Sequence, residues 1–234
     1  MRQRSNILKL RERLKSFHNK ANVGVLGILN VTPDSFFDGG HSFSVEKAIS
    51  KGLSLKHKGA EIIDLGGQSS RPGAQSVGAK EEWSRIEPVL QGILERDPDA
   101  LISIDTYRSE VAYKGIHAGA AMINDISAGS LDPELFNVVA EADVPYVLMH
   151  MRGRPENMQN NLEYDDVVRE VSDFFLQKIE ELSGLGIKDV ILDPGFGFGK
   201  STADNYALLA NLETFTELRL PILVGTSRKS MICK

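Results

Sequence analysis

Five polar residues follow apolar runs along the 234-residue chain: Asn30 after VGVLGIL, Asp105 after LISI, Asn124 after AMI, Asp193 after DVIL, and Lys229 just beyond PILVG. Gathered in one place, two carboxylates, amides and an ammonium would suit a polar heterocycle better than a metal cluster. A carboxylate accepts two parallel N–H bonds from an amidine-like ring edge. An Asn amide both donates and accepts, and a Lys donates to a ring carbonyl or nitrogen. Each such charged hydrogen bond contributes about 1.5–3 kcal/mol, and a ligand lacking the matching group leaves the carboxylate unpaired.

Each of these residues also has a plainer reading. Asp193 precedes Pro194 and Gly195, where an Asp commonly caps its own turn. LDPGFGFGKS invites a phosphate loop, but the register fails. Pro194 sits where the first glycine of that loop belongs, and Lys200 where the dinucleotide pattern needs glycine. Two long polar loops, VTPDSFFDGGHSF and QSSRPGAQSVG with Ser69, Ser70 and Arg71, are candidate lids or surface connections. GTSRKS offers Ser227, Arg228 and Lys229 to an anion or simply makes a solvated turn. His150 in VLMHMRG reads as a structural histidine, hydrogen-bonded beneath the loop that follows it, before it reads as a base or ligand.

The elements that must position these residues are seven short apolar runs: VGVLGILN, EIIDLGG, LISIDT, AMINDI, VPYVLMH, DVILDPG and PILVG. They are near-continuous in Val, Ile and Leu, as expected of parallel strands covered by helices. Their polar ends lie 19 to 43 residues apart, room for one crossover helix each. Helical apolar stripes fill three of the gaps: Val45, Ala48, Ile49, Gly52 and Leu53; Trp83, Ile86, Leu90, Ile93 and Leu94; Val167, Val171, Phe174, Phe175 and Leu182. Useful residues after nearly every strand favour the rim of a (β/α)8 TIM barrel over an open doubly wound sheet, whose ligands gather at one switch point. Only nine residues follow the seventh run, so the α/β barrel is expected to be truncated after strand seven, with unpaired edges.

Composition fits a folded chain with a sizeable core, whether one large domain or two small ones: 41% of residues are apolar and 25% charged. A net charge of −5 leaves no broad basic surface, so no nucleic acid partner is expected. The single Cys233 cannot form an internal disulfide, and no apolar run is long enough for a membrane span, which makes a cytoplasmic address the default. Residues 1–21 are basic, with Arg2, Arg4, Lys9, Arg11, Arg13, Lys15 and Lys20 against Glu12 alone. They read as a solvated leader ahead of a 22–234 domain, with a targeting helix or acid-binding surface as alternatives.

In order along the chain, LNVTPDSFFDGG, DLGGQSSRPGA, IDT, INDISAG, VLMHMRG, LDPGFGFGK and SRKS closely resemble the motifs of the dihydropteroate synthase family, over residues 22–231. The resemblance implies an eight-stranded pterin-binding TIM barrel. It also implies a transferase of folate biosynthesis, condensing 6-hydroxymethyl-7,8-dihydropterin diphosphate with p-aminobenzoate to give dihydropteroate and pyrophosphate. Mg2+ would be the cofactor, sulfonamides the inhibitors, and a homodimer the assembly, although the usual dimer contacts include the end this chain lacks. Asp105, Asn124 and Asp193 would line the pterin pocket, with Lys229 at the ring oxygen and nitrogen and Asn30 at the metal. Ser70 and Arg71 would approach diphosphate and p-aminobenzoate, with Phe36, Pro72 and Phe196 as apolar contacts for the aromatic ring. Lys229, Asp105 and Arg71 are the residues expected to serve the reaction itself.

This sequence departs from the family pattern at Gln68 and Ser70, where Glu and Thr are usual, and it lacks the last strand with its diphosphate-binding Arg and His. Two other readings stay open: a catalytically silent pterin-binding fragment, and a methyltetrahydrofolate-dependent methyltransferase with a corrinoid partner. The latter explains SRPG and SRKS poorly.

Overall fold

The computed structural model of the chain describes all residues except 1, 19–22, 33–40, 70–75, 154–157, 159–162, 228, 230 and 233–234. Six short apolar runs form parallel strands: β1 (Leu26–Asn30), β2 (Ile62–Gly66), β3 (Leu101–Asp105), β4 (Met122–Asp125), β5 (Tyr146–Met149) and β6 (Val190–Asp193). The helices are α1 (Arg2–His18), α2 (His41–His57), α3 (Ala79–Arg96), α4 (Ser109–His117), α5 (Glu134–Ala142), α6 (Val167–Gly184), α7 (Thr202–Ala210) and α8 (Leu212–Thr216).

Local chemistry sets several helix starts. The Asp166 carboxylate accepts the Val168 and Arg169 N–H groups at 3.1 Å, opening α6. Ser201 and Asp204 cap each other reciprocally at the start of α7.

The strand order is sequential, β1 through β6, with no reversal. Right-handed crossovers that always advance in the same direction leave the helices on one face of the sheet, which curls around the other. Outward-facing Leu29, Ile63, Leu65, Ile102, Ile104, Ile123, Leu148 and Leu192 are buried in one continuous core with Ala48 and Ile49 of α2, Ile86 and Leu90 of α3, and Val171 and Phe175 of α6. The three helical stripes read from the sequence are therefore the faces that meet the sheet.

Two expectations need correction. The seventh run makes one parallel bridge, Leu192 to Ile222, instead of a ladder: Leu192 N–H donates to Pro221 O at 2.9 Å and Leu223 N–H to Leu192 O at 2.8 Å. Place and direction are those of a seventh strand, but Pro221 brings no N–H to extend it. Among the described residues β1 pairs with β2 alone, and Ile28 on its inward side is 55% exposed.

Within the basic N-terminal segment, Arg2–His18 form α1, which docks an apolar face instead of standing free in solvent. Ile7, Leu10 and Leu14 of α1 are buried in the main core, a stripe at helical spacing that the surrounding charges obscured. Its polar residues reach the loops entering the strands. Asn6 Nδ2 donates to Pro98 O at 3.1 Å, Gln3 Nε2 to Ile116 O at 2.6 Å, and Arg11 pairs with Asp143 and Asp189, both at 2.6 Å. α1 thus crosses the N-terminal ends of the strands. Among the described residues no helix is long and apolar enough to cross a membrane.

Candidate active site

The opposite end, where the strands finish, carries the polar residues. Register puts Asn30 beside Gly66, Gly66 beside Asp105, and Asp105 beside Asn124, and laterally paired residues project from the same face of a sheet. Gly66 is what allows this row to close up. A Cβ there would stand 3.1 Å from both Asn30 Oδ1 and Asp105 Oδ2, so the two oxygens converge over a missing side chain.

One level deeper on the same face lies Asp64, whose Oδ2 accepts a hydrogen bond from Asn124 Nδ2 at 2.9 Å. Asp64 is a residue of this site that the position of strand ends alone does not single out. The signal was present: a carboxylate inside the apolar run EIIDLGG, two positions before Gly66, which period-two alternation places on the inner face.

Asp193, at the end of β6, caps its own turn and still presents a carboxylate oxygen. Its Oδ1 accepts the Gly195 N–H at 2.8 Å, an Asx turn, and among the described residues Oδ2 carries no hydrogen bond. Gly195 has φ +70, and a Cβ there would fall 1.9 Å from His150 O, so only glycine permits the turn. Lys229 is half-buried, with Nζ 4.2 Å from the centre of the Phe198 ring. It shares its field with Asp193 and Asp105, both of which favour its charged form.

The three acids are therefore strained electrically. Burial pushes the Asp105 carboxyl well above its ordinary range, and the charges of Asp64, Glu82 and Asp125 push it further while Lys229 opposes them. Burial raises Asp64 as well. Burial also lifts Asp193 to about 6, against the Gly195 N–H and the charges of Lys200 and Lys229. Carboxyls held this way recover their hydrogen bonds when a ligand supplies N–H donors.

Asn30, Asp105, Asn124, Asp193 and Lys229 thus face one cup, joined by Asp64. Phe196 does not: it is 1% exposed and packed in the core, because the turn after Asp193 sends its ring inward. Phe198 is the aromatic ring beside Lys229. His150 is structural, but it is held differently than expected. Its Nδ1 is buried with no hydrogen-bond partner among the described residues, its ring packs edge-on against Phe174 at 4.9 Å, and burial drives it to about 2, keeping it neutral. Ser70, Arg71 and Pro72, with Phe36, lie outside the described residues.

The stem of their loop is described. Gln68 Nε2 donates to Tyr107 OH at 3.0 Å, while Arg108 donates to Gln68 Oε1 and Ser76 Oγ, each at 2.9 Å, and pairs with buried Glu82. One guanidinium therefore ties both sides of the loop's base.

Among the described residues no group of three His, Cys, Asp or Glu side chains could hold a metal unaided. Asn30 Oδ1 and Asp105 Oδ2, converging beside Gly66, are hard oxygen donors of the kind magnesium takes when it keeps waters and shares a ligand's phosphates. The donor set fits that cation.

A model of the family described as pterin binding enzyme matches residues 26–234. The dihydropteroate synthase of Synechocystis sp. is 46% identical over 212 residues, covering 90% of this chain and 73% of that protein. The Xanthomonas albilineans dihydropteroate synthase structure with 4-aminobenzoic acid superposes with a TM-score of 0.84 at 45% identity, over 91% of this chain and 76% of that one. The same Xanthomonas enzyme in complex with 7,8-dihydropteroate gives a TM-score of 0.79 at 42% identity, covering 91% and 75%. The chain spans about three quarters of each of these relatives.

Proposed function

The chain belongs to the pterin-binding enzymes, among the dihydropteroate synthases of folate biosynthesis, and we propose that its strand-end cup is the pterin site of that transferase. The carrying observation is the convergence of Asn30 and Asp105 across Gly66, with Asn124 beside Asp105 and with Lys229 in the field of Asp193 and Asp105.

In the reaction the methylene C–O bond of 6-hydroxymethyl-7,8-dihydropterin diphosphate breaks. The amine of p-aminobenzoate forms the new C–N bond and loses a proton, and pyrophosphate leaves. No protein nucleophile is needed, so the enzyme's work is positioning and electrostatics.

Asp193 accepts the N–H groups of the pterin's amidine edge, and Asn124, braced by Asp64, donates and accepts at the next positions. Asp105, whose carboxyl burial and the neighbouring acids hold well above its ordinary range, faces the ring from the adjacent strand. Lys229 donates to the ring oxygen and nitrogen. Ser70 and Arg71, with Pro72, serve the diphosphate and p-aminobenzoate from the loop whose base Arg108 holds. Asn30 would hold Mg2+ together with diphosphate oxygens, and the cation would supply charge stabilisation for departing pyrophosphate. A cytoplasmic address and homodimeric assembly go with this reading.

The test is formation of 7,8-dihydropteroate from both substrates with Mg2+, alongside pterin binding. Product that depends on p-aminobenzoate is expected. Pterin binding with no product identifies a silent pterin-binding chain, and absence of both overturns the assignment.

A further inference from the structure

The segment that follows β6 is held by a buried cation. Lys200 is 3% exposed, and its Nζ donates to the carbonyl oxygens of His150, Gly195 and Phe198, each at 3.1 Å. An ammonium has three protons, so all are used and none remains for a phosphate. The three acceptors are unlike one another. His150 follows β5, Gly195 belongs to the turn that holds Asp193, and Phe198 carries the ring beneath Lys229.

Neutral groups already tie the same segment. Asn205 of α7 accepts the Gly197 N–H at 2.7 Å and donates to Ser201 O at 2.7 Å and Lys200 O at 3.3 Å. Burying a charge is costly unless something nearby requires it. The charged groups that act on the Lys200 ammonium are Asp193 from β6, Arg152 after β5, Asp204 of α7 and Lys229; His150 beside it is neutral. Asp193 is the acid of the cup among them.

We propose that Lys200 is a positioning residue for the heterocycle pocket: its ammonium locks the Asp193–Gly195 turn and the Phe198–Lys229 stack into one unit, and supplies the buried positive charge that holds Asp193 as the anion an amidine edge requires. The proposal rests on the pterin reading of the cup. The two groups respond to each other in the direction required. Burial lowers the Lys200 ammonium to about 7 and raises Asp193 to about 6, and each charge opposes the other's shift.

Carboxyl 13C titration of Asp-labelled protein, with the Asp193 signal assigned through Asp193→Asn, reads this coupling without any ligand. Lys200→Met, which keeps length and removes charge, is expected to raise the Asp193 midpoint by about one pH unit or more. Asn205→Ala loosens the same segment with no charge removed and is expected to leave the midpoint in place. Binding of 6-hydroxymethylpterin at neutral pH should weaken about twofold or more in Lys200→Met, recovering partly at higher pH as Asp193 ionises. Asn205→Ala should weaken it equally across the pH range. Should Lys200→Met not fold, Lys200→Gln, with two amide protons for three carbonyls, carries the same expectations. An Asp193 midpoint unmoved by loss of the charge, or moved equally by Asn205→Ala, overturns the proposal. Wild-type protein that binds no pterin overturns the functional reading instead, and the carboxyl midpoints still decide the part played by Lys200.

Discussion

Asn124 donates its amide N–H to the carboxylate of Asp64 at 2.9 Å, across two strands that are not neighbours in the sheet. The bond fixes which way the Asn124 amide faces, leaving its carbonyl for a ligand's donor. Asp64→Ala should therefore weaken pterin binding about tenfold or more and cost about 1–3 kcal/mol of stability, since a buried amide loses its partner. Asp64→Asn keeps an acceptor and should fall between that variant and wild type. Fluorescence titration with pterin and urea unfolding measure the two effects.

Gly66→Ala adds a methyl group where Asn30 Oδ1 and Asp105 Oδ2 converge. The expected result is loss of metal-dependent turnover with a smaller change in unfolding midpoint, because the strand itself tolerates alanine and the oxygens must move. Steady-state rates against Mg2+ concentration check it; unchanged metal dependence would separate Asn30 from the cation.

The pH dependences of binding and stability should run in opposite directions through the same group. An amidine edge needs the Asp193 carboxylate, so pterin affinity should fall as pH drops below about 6. Stability moves the other way. Because the folded carboxyl sits above its unfolded value, the native state binds more protons, and Asp193's contribution improves as pH falls from about 6 toward the ordinary range. Lys200, lowered to about 7, makes the native state bind fewer protons than the unfolded chain above that pH, so its contribution improves as pH rises toward the usual lysine range. Calorimetric binding and thermal melts across this window test both signs.

At the far end of the barrel, Leu10→Ala in α1 should cost about 2–5 kcal/mol by leaving a cavity in the core. Pterin affinity should be unchanged under native conditions, since α1 touches the loops entering the strands and the cup lies where they leave. A stability loss below about 0.5 kcal/mol would restore the solvated-leader reading.

Much of this was legible in residue order. Near-continuous Val, Ile and Leu runs located the six parallel strands, and four of the polar residues closing them, Asn30, Asp105, Asn124 and Asp193, face the cup while His150 does not, because burial and period-two alternation act over a few residues at a time. Ile7, Leu10 and Leu14 show the limit. A basic helix can dock or float, and the choice depends on acceptors such as Pro98 O, Asp143 and Asp189, which are distant along the chain.

The order of residues alone determined the α/β class, the sequence of strands and the kind of chemistry, through donor and acceptor types that no fold can change. Tertiary structure decided which atoms meet. Curling of the sheet brought Asp64 to Asn124, the left-handed Gly195 turn sent Phe196 into the core, and Phe198 came beneath Lys229. The same turn brought three carbonyls around Lys200, converting what looked like a failed phosphate loop into a buried tie. Such pairings depend on the direction of single side chains and on closures between distant segments, which local pattern does not encode.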